Sequence, residues 1–325
     1  MRAKFFLLLF LVVGIIISIA FVFLLSYSKY PQKFSKSSFD KSTPSWSPNG
    51  ALIACTSYSD DLNKLIAIST KDGRNTIVSE FTDSIFFPSW SPSGDEIVFQ
   101  MNQNGNNDIW KYSLKSKKLS RLTSNPNSDI SPKWSPDGEK IAFVSSRSGN
   151  NDIWIISAQG GNEVQVTENS ADDSFPSWSP DGESLVFSSH RSGSWDLWLV
   201  SLKNKKLLQL TQNPGIEDVP VWSPKGDAIV YRAIKNERSD IWLLTFPERK
   251  EKRITYSKSF QWYPTWSPNG EFIAFQSDMS GNKDIWIAPT SSSLYTASIK
   301  ARKLLNFAKW VVHEIAEEVL RRELD

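Results

Sequence analysis

The chain has 325 residues and a nearly balanced charge, with 37 lysines and arginines against 35 aspartates and glutamates. This balance excludes the basic footprint expected of a nucleic-acid-binding protein. The single cysteine, Cys55, excludes an intramolecular disulfide, and because it lies in an apolar stretch we expect a buried, small hydrophobic side chain rather than a reactive thiol.

The chain starts with an apolar run, in which Arg2 and Lys4 precede the uncharged residues 5–25. As a helix, this run is just long enough to cross about 30 Å of bilayer hydrocarbon, and it exceeds the apolar core of a cleavable signal peptide, about 7–15 residues. It therefore predicts an uncleaved transmembrane anchor within residues 1–28. The positive charge before it predicts a cytoplasmic N-terminus and an extracytoplasmic body, in the periplasm or at the cell surface.

Tryptophan then recurs every 44 residues. The first series is Trp46, Trp90, Trp134, Trp178, Trp222 and Trp266. A second series with the same step is Trp110, Trp154, Trp198, Trp242 and Trp286, with Ile66 in the first unit. A fixed period of this length indicates a repeat architecture.

The fourth repeat shows how a unit is built. Its turn is Ser-Pro-Asp-Gly at 179–182, in which proline and glycine each favour a particular turn position. Short strands flank the turn, a polar loop follows at 191–195, and two more strands run over 196–200 and 207–211. Four short antiparallel strands per repeat predict a propeller blade, and hence an all-β, six-bladed β-propeller over residues 29–290.

A strand near the start of the propeller predicts how the ring closes. In five units the fourth strand has an apolar marker followed by Thr or Ser, and these markers are Val78, Leu122, Val166, Leu210 and Ile254. No such strand follows Trp286, whereas one step of 44 before Val78 lies Phe34, followed by Ser35. The segment 32–37 is therefore predicted to be the fourth strand of the last blade, which leaves no open seam.

After Pro289 the pattern changes again. Residues 291–325 are predicted to be a polar linker and an amphipathic helix over 298–324, with one apolar stripe formed by Leu304, Ala308, Val311, Val312, Ile315 and Val319. Four roles stay open for this helix: packing on the propeller, dimerisation, docking of a partner, or lying on the membrane.

The repeated motif Pro-x-Trp-Ser-Pro-[Asp/Asn]-Gly, followed by an apolar strand and Asp-Ile-Trp, resembles the repeat of the TolB-type propellers. The similarity extends over residues 32–290, with the closest copies at 132–138 and 176–182. It implies a six-bladed propeller without the N-terminal α/β domain of the family's namesake. The same repeat also occurs in propellers attached to peptidases, so the resemblance specifies a fold more closely than a function.

An aspartate precedes the second tryptophan in five repeats, at Asp108, Asp152, Asp196, Asp240 and Asp284, while Lys64 takes its place in the first. Recurrence in so many blades favours a structural role over a set of metal sites. We expect these carboxylates to accept backbone N–H bonds where the strand begins.

Catalytic signals are weak in this sequence. His190 lies in a polar loop and His313 in the predicted C-terminal helix, and neither has a nucleophile at useful spacing. The sequence contains no Cys pair, His pair or Gly-rich phosphate loop. We therefore expect no catalytic residues, no metal and no cofactor.

Charged residues instead predict a binding mouth. Because strands alternate in direction, the loops between second and third strands share one face with the links between blades. On this face we place Asp129, Asp173 and Asp218, with Arg147 and Arg191 nearby. An acidic mouth would attract a cation or a basic peptide; ordinary solvated loops are the alternative.

These patterns together favour a membrane-anchored, extracytoplasmic, non-catalytic scaffold for protein–protein interaction in the organisation of the cell envelope. The expected partners are another envelope protein or a basic peptide segment, and the membrane through residues 5–25. Two alternatives remain: a propeller accessory domain or peptidase-related hydrolase that uses the channel mouth, and a sensor of glycans or small ligands.

Overall fold

The computed structural model describes residues 31–35, 39–59 and 61–290. The chain divides into two units, and Lys33–Ile287 is the unit that holds the blades. Of the other unit, Met1–Gln32 with Ala288–Asp325, only 31–32 and 288–290 are described. The predicted transmembrane segment and C-terminal helix lie outside the described residues, and within those residues no helix could span a membrane.

The described strands form six four-stranded sheets. The chain enters through β1 (Gln32–Lys33). Blade one is β2 (Lys41–Trp46), β3 (Leu52–Ser59), β4 (Leu62–Ser69) and β5 (Asn75–Phe81). Blade two is β6 (Ser84–Trp90), β7 (Glu96–Gln103), β8 (Asn106–Ser113) and β9 (Leu119–Arg121). Blade three is β10 (Asp129–Trp134), β11 (Lys140–Ser145), β12 (Asp152–Ser157) and β13 (Val164–Gln165).

The second half repeats this plan. Blade four is β14 (Asp173–Trp178), β15 (Ser184–Ser189), β16 (Asp196–Ser201) and β17 (Leu207–Gln209). Blade five is β18 (Ile216–Trp222), β19 (Ala228–Lys235), β20 (Arg238–Thr245) and β21 (Glu251–Arg253). Blade six is β22 (Gln261–Trp266), β23 (Phe272–Ser277) and β24 (Asp284–Pro289), with β1 beside β24. The predicted all-β, six-bladed architecture is confirmed.

The closing strand takes the register that the 44-residue step predicts. The backbone N–H of Phe34 donates to the carbonyl of Ile285 at 2.9 Å, just as Leu122 N–H donates to Ile109 at 2.8 Å in blade two. Ser35 Oγ bonds Asp284 Oδ1 at 2.6 Å. The first and last blades are thus joined by the same bonds that hold a fourth strand elsewhere, as predicted.

The first tryptophan series packs between neighbouring blades. Trp178 lies in a core cluster with Val144 and Ile153 of blade three and Phe187 of its own blade. Its Nε1 donates to the carbonyl of Lys133 in blade three at 3.1 Å. The tryptophan step therefore marks contacts between repeats, where the burial of aromatic surface helps to hold neighbouring blades together.

The Ser-Pro-x-Gly turns form a second set of contacts between blades. Gly182 has φ +73°, a conformation that a glycine adopts without strain, and a methyl group there would sit 3.5 Å from the ring of Pro136 in the preceding blade. Gly50 has the same relationship with Pro268 of blade six. The turns thus pack in series around the ring, including across the closure.

The recurring aspartates have a structural role, but by a different hydrogen bond from the one predicted. In blade three Thr167 Oγ1 accepts the backbone N–H of Ile153 at 2.9 Å and donates to Asp152 Oδ1 at 3.3 Å. Blades two and five repeat both bonds. The hydroxyl of the threonine that follows the apolar marker, and not the aspartate, accepts the backbone N–H. The aspartate accepts the hydroxyl proton and so orients the threonine.

Candidate binding face and central channel

The two faces of the propeller carry different connections. One face carries the turns between first and second strands and between third and fourth strands; we call it the turn face. The other carries the loops between second and third strands and the links between blades; we call it the loop face. Each first strand, nearest the channel, begins at the loop face.

The predicted charged residues lie together on the loop face, as closed ion pairs. Arg147 Nη2 lies 2.9 and 2.8 Å from the two carboxylate oxygens of Asp129. Arg191 Nη2 contacts Asp173 in the same way, at 2.9 and 2.7 Å. Both carboxylates are fully buried. A two-oxygen contact of this kind fixes the guanidinium as well as neutralising the carboxylate.

Each arginine also lies over an aromatic side chain of its own blade. The guanidinium of Arg147 is 4.9 Å from the ring centre of Trp154, and that of Arg191 is 5.0 Å from the ring centre of Trp198. The arginines are therefore held by charge on one side and by a ring face on the other. Both side chains are about one-tenth exposed.

Asp218 does not pair with either predicted arginine. It bonds Arg232 on the adjacent strand, while the neighbouring Glu217 pairs with Lys235 at 3.2 Å. Glu217 and Lys235 lie one step of 44 after Asp173 and Arg191, so the repeat itself could have identified that pair. Arg232 has no counterpart, because Ser188 stands at its position in blade four.

Pairing changes the electrostatic character predicted for this mouth. Burial raises the pKa of Asp173, and bonds from Ser189 and Arg191 oppose that effect without cancelling it. Each of the three aspartates is thus neutralised by an arginine, so the loop face presents ion pairs to solvent and not free carboxylates. We call the three pairs Asp129–Arg147, Asp173–Arg191 and Asp218–Arg232, in blades three to five, the ion-pair arc.

The loop-face ends of the other three blades carry several aromatic side chains. Blades six, one and two contribute Phe260, Trp262, Phe39, Tyr58 and Phe86, which we call the aromatic arc. Phe260 and Trp262 stack with ring centres 5.6 Å apart, and four of the five are 40–58% exposed. The repeat pattern alone did not indicate this arc, although Phe86 and Trp262 occupy the same repeat position in blades two and six.

Six residues at one repeat position line the channel in a left-handed conformation. They have φ of 51–55° and are Thr43, Phe87, Ser131, Phe175, Val219 and Tyr263. Each precedes a proline, and a β-bulge interrupts the pairing of the first and second strands at this point. Small and large side chains alternate around the ring, because six aromatic rings could not converge on one axis.

The three large side chains meet inside the channel. The ring of Phe87 lies 5.9 Å from Phe175 and 5.2 Å from Tyr263, the latter edge to face. These spacings are typical of favourable aromatic contacts. The trio therefore narrows the channel at this level.

A cavity of about 20 Å³ lies in the channel, lined by the six ring residues, by prolines that follow them, and by Lys133 and Val221. Ser131 is 2% exposed, and its Oγ has no hydrogen-bond partner among the described residues. Lys133 lines the same cavity and is partly exposed, and desolvation by the channel wall lowers its pKa to about 8. Among the described residues its ammonium has no hydrogen bond or ion pair.

Other residues of chemical interest stand apart from the channel. His190 is exposed, with its ring 5.7 Å from that of Trp195, and His313 lies outside the described residues. Cys55 is fully buried, as predicted, and burial raises its pKa above the ordinary thiol value. Within 31–35, 39–59 and 61–290, no group of three His, Cys, Asp or Glu side chains is placed to hold a metal.

Comparison with known families confirms the predicted repeat type. Residues 29–175 match the family model described as the TolB beta propeller domain. Residues 179–262 match the one described as the dipeptidyl peptidase IV (DPP IV) N-terminal region. No curated protein matches the chain.

Solved structures with this fold have diverse activities. TolB from Acinetobacter baumannii is 22% identical, with a TM-score of 0.60 over 66% of this chain and 54% of that protein. A gluconolactonase from Xanthomonas campestris is 11% identical, with a TM-score of 0.62 over 79% of this chain and 88% of that one. An oligogalacturonate lyase from Vibrio parahaemolyticus is 13% identical, with a TM-score of 0.56 over 77% of each chain. These likenesses show the fold alone, and this chain spans about half of the Acinetobacter protein.

Proposed function

We propose, from the premise that this chain carries a TolB-type β-propeller, that it is a non-catalytic scaffold that binds another protein through its loop face. The observation that supports this is the composition of the loop-face mouth. The aromatic arc occupies one side, and the ion-pair arc occupies the other. Aromatic side chains and arginines are the residues most enriched at the energetic centres of protein interfaces.

The aromatic arc supplies the apolar contact in this proposal. Phe86 and Phe260 are 40% and 44% exposed, and Tyr58 is 58% exposed. Exposed aromatic side chains grouped on one face of a soluble domain mark interaction sites more often than chance surface. Their stiffness also favours binding, since little conformational entropy is lost when they are covered.

The ion-pair arc supplies orientation. Arg147 and Arg191 are already fixed by a carboxylate and by a tryptophan ring, so a partner meets a preformed polar surface. Preorganised groups reduce the entropy lost on association. The partner we propose is another envelope protein, or a basic segment of one that contacts the outer edges of these pairs.

The cellular setting is part of the proposal. The uncharged residues 5–25 would anchor the chain in a membrane and present the propeller outside the cytoplasm. Extraction of the full-length protein from membranes at alkaline pH tests the anchor, and protease digestion of sealed vesicles tests the side. Release of the intact chain without detergent would contradict the anchor while leaving the binding face untouched.

The interaction itself can be tested by affinity capture from detergent-solubilised cells with the full-length protein. The variant Phe86→Ser/Phe260→Ser should lose the captured partner. The control Val164→Ser/Leu207→Ser removes equally exposed apolar side chains from outer strands, 55% and 40% exposed, and should retain it. Equal capture by both variants, or turnover of a peptide, glycan or lactone substrate by the wild type, would refute the proposal.

A further inference from the structure

The central channel contains two polar side chains that take no part in the proposed binding at the loop face. Ser131 and Lys133 lie two residues apart on β10, and both line the cavity beside the aromatic trio. The Ser131 hydroxyl is buried and without a partner, and the Lys133 ammonium is without a hydrogen bond or ion pair in the part of the chain that the structure describes.

The repeat shows that Lys133 is a departure and not a requirement of the fold. The equivalent residues of the other five blades are Ser45, Ser89, Ser177, Val221 and Thr265, all short and uncharged. Ser89 and Ser177 bond the backbone N–H groups of Trp134 and Trp222 in the next blades, at 3.3 and 3.2 Å. Blade three alone extends a cation into the channel from this position.

A cation that lines a narrow channel without a counter-charge is unfavourable, because the channel wall solvates it less well than bulk water does. The pKa of Lys133 is lowered to about 8 by desolvation, and no carboxylate among the described residues opposes that shift. A bound anion would restore the missing charge. The unpaired Ser131 hydroxyl could donate to the same anion.

We propose that Ser131 and Lys133 form an anion-binding site inside the channel, filled by one small anionic group. The cavity, at about 20 Å³, admits a group the size of a water molecule. The occupant is therefore a halide-sized free anion or a single carboxylate end that reaches in from the mouth. Phe87, Phe175 and Tyr263 exclude anything bulkier.

The test measures thermal unfolding of the full-length protein with added chloride or formate, against gluconate, whose anion is too large, at equal ionic strength. At about ten times Kd, a small anion should raise Tm by roughly 2–4 °C in the wild type. Lys133→Ser, the residue that three other blades carry, should abolish the shift, and Ser131→Ala should reduce it. The control Lys115→Ser removes an exposed lysine and should respond like the wild type.

A second measurement needs no variant. Reductive methylation followed by mass spectrometry gives the pH dependence of Lys133 reactivity in the wild-type chain. Saturating formate should move its midpoint upward by about one pH unit, since an anion that binds only the ammonium form stabilises that form. Acetylglycine, its amide and chloride distinguish a free anion from the carboxylate end of a larger molecule. A midpoint shift caused by acetylglycine, but not by its amide or by chloride, indicates a carboxylate end. A shift caused by chloride indicates a free anion.

Equal Tm shifts in wild type and Lys133→Ser, or a methylation profile unchanged by chloride, formate and acetylglycine, would overturn the proposal. Neither result bears on protein binding at the loop face. The affinity-capture variants carry no change in the channel, so the two proposals fail independently.

Discussion

The ammonium of Lys41 lies 3.2 Å from Oδ1 of Asp284, and both side chains are fully buried although 243 residues separate them. Lys33 of the closing strand bonds the other oxygen of the same carboxylate at 2.6 Å. Asp284 thus receives one cation from the closing strand and one from the first blade. The place where the ring closes is fixed by charge as well as by strand pairing.

The first prediction concerns this closure. Asp284→Asn should lower the free energy of unfolding by about 3–5 kcal/mol, because it leaves the buried Lys41 without its carboxylate. Asp152→Asn is the control, since within the part of the chain that the structure describes Asp152 accepts side-chain bonds only from the uncharged Ser148, Gln165 and Thr167. It should lose about 1–2 kcal/mol. Urea denaturation measures both, and equal losses would contradict the role given to Lys41.

The second prediction is a pH dependence. Burial would raise the pKa of Asp284, but bonds from Lys33, Ser35 and Lys41 outweigh it and hold the pKa below 3.8. The ionised carboxylate therefore stabilises the fold fully above the unfolded pKa, and this contribution is lost as the pH falls through the folded pKa. The stability gap between wild type and Asp284→Asn should be constant from pH 7 to 5 and shrink below pH 4. A gap that widens in acid would show the opposite sign.

The third prediction concerns the strained ring in the channel. Phe87→Ala should destabilise the protein by about 2–4 kcal/mol through loss of its contacts with Phe175 and Tyr263. Phe87→Gly removes the same ring but relieves a φ of 54°, so it should be about 1 kcal/mol less destabilising than Phe87→Ala. In an ordinary strand the order would be reversed, since glycine is the poorer strand residue. Finding alanine to be the milder change would contradict the strain.

The fourth prediction compares two loop glycines. Gly215 and Gly193 both have positive φ, +125° and +95°. A methyl group on Gly215 would overlap the carbonyl oxygen of Ile234. A methyl group on Gly193 would have no neighbouring atom within 4 Å among the described residues. Gly215→Ala should therefore lose about 1–3 kcal/mol more than Gly193→Ala in urea denaturation. Equal losses would mean that the link before blade five adjusts freely.

Sequence periodicity predicted the architecture because the fold is itself periodic. Two tryptophan series and one apolar marker fixed the blade count, the strand count and the role of Phe34 in closing the ring. Both members of the threonine–aspartate relay recur in the sequence, at positions such as 152 and 167, but their spacing does not show that they bond each other, because they lie on neighbouring strands. Such pairing depends on register and not on spacing along the chain.

Several features of the candidate site are departures from the repeat, which periodicity does not predict. Arg232 pairs with Asp218 without any counterpart in other blades. Phe86 and Trp262 reach the mouth only because the ring brings blades two and six close to blade one. The left-handed residues before the prolines, such as Ser131, were hidden because a non-glycine residue with positive φ has no reliable sequence signal. Lys133 differs from its counterparts in the other blades, but nothing in the sequence shows whether its ammonium has a partner.

The central claim, that the loop face binds a protein, is tested most directly by photo-crosslinking in living cells. A photoreactive amino acid is placed at Phe86 or Phe260 on the loop face, or at Lys115 or Lys203 on the turn face, all of them exposed. The account predicts one discrete crosslinked partner from both loop-face positions, competed by excess wild-type chain, and none from the turn face. No discrete product from the loop face, or the same product from both faces, would contradict it.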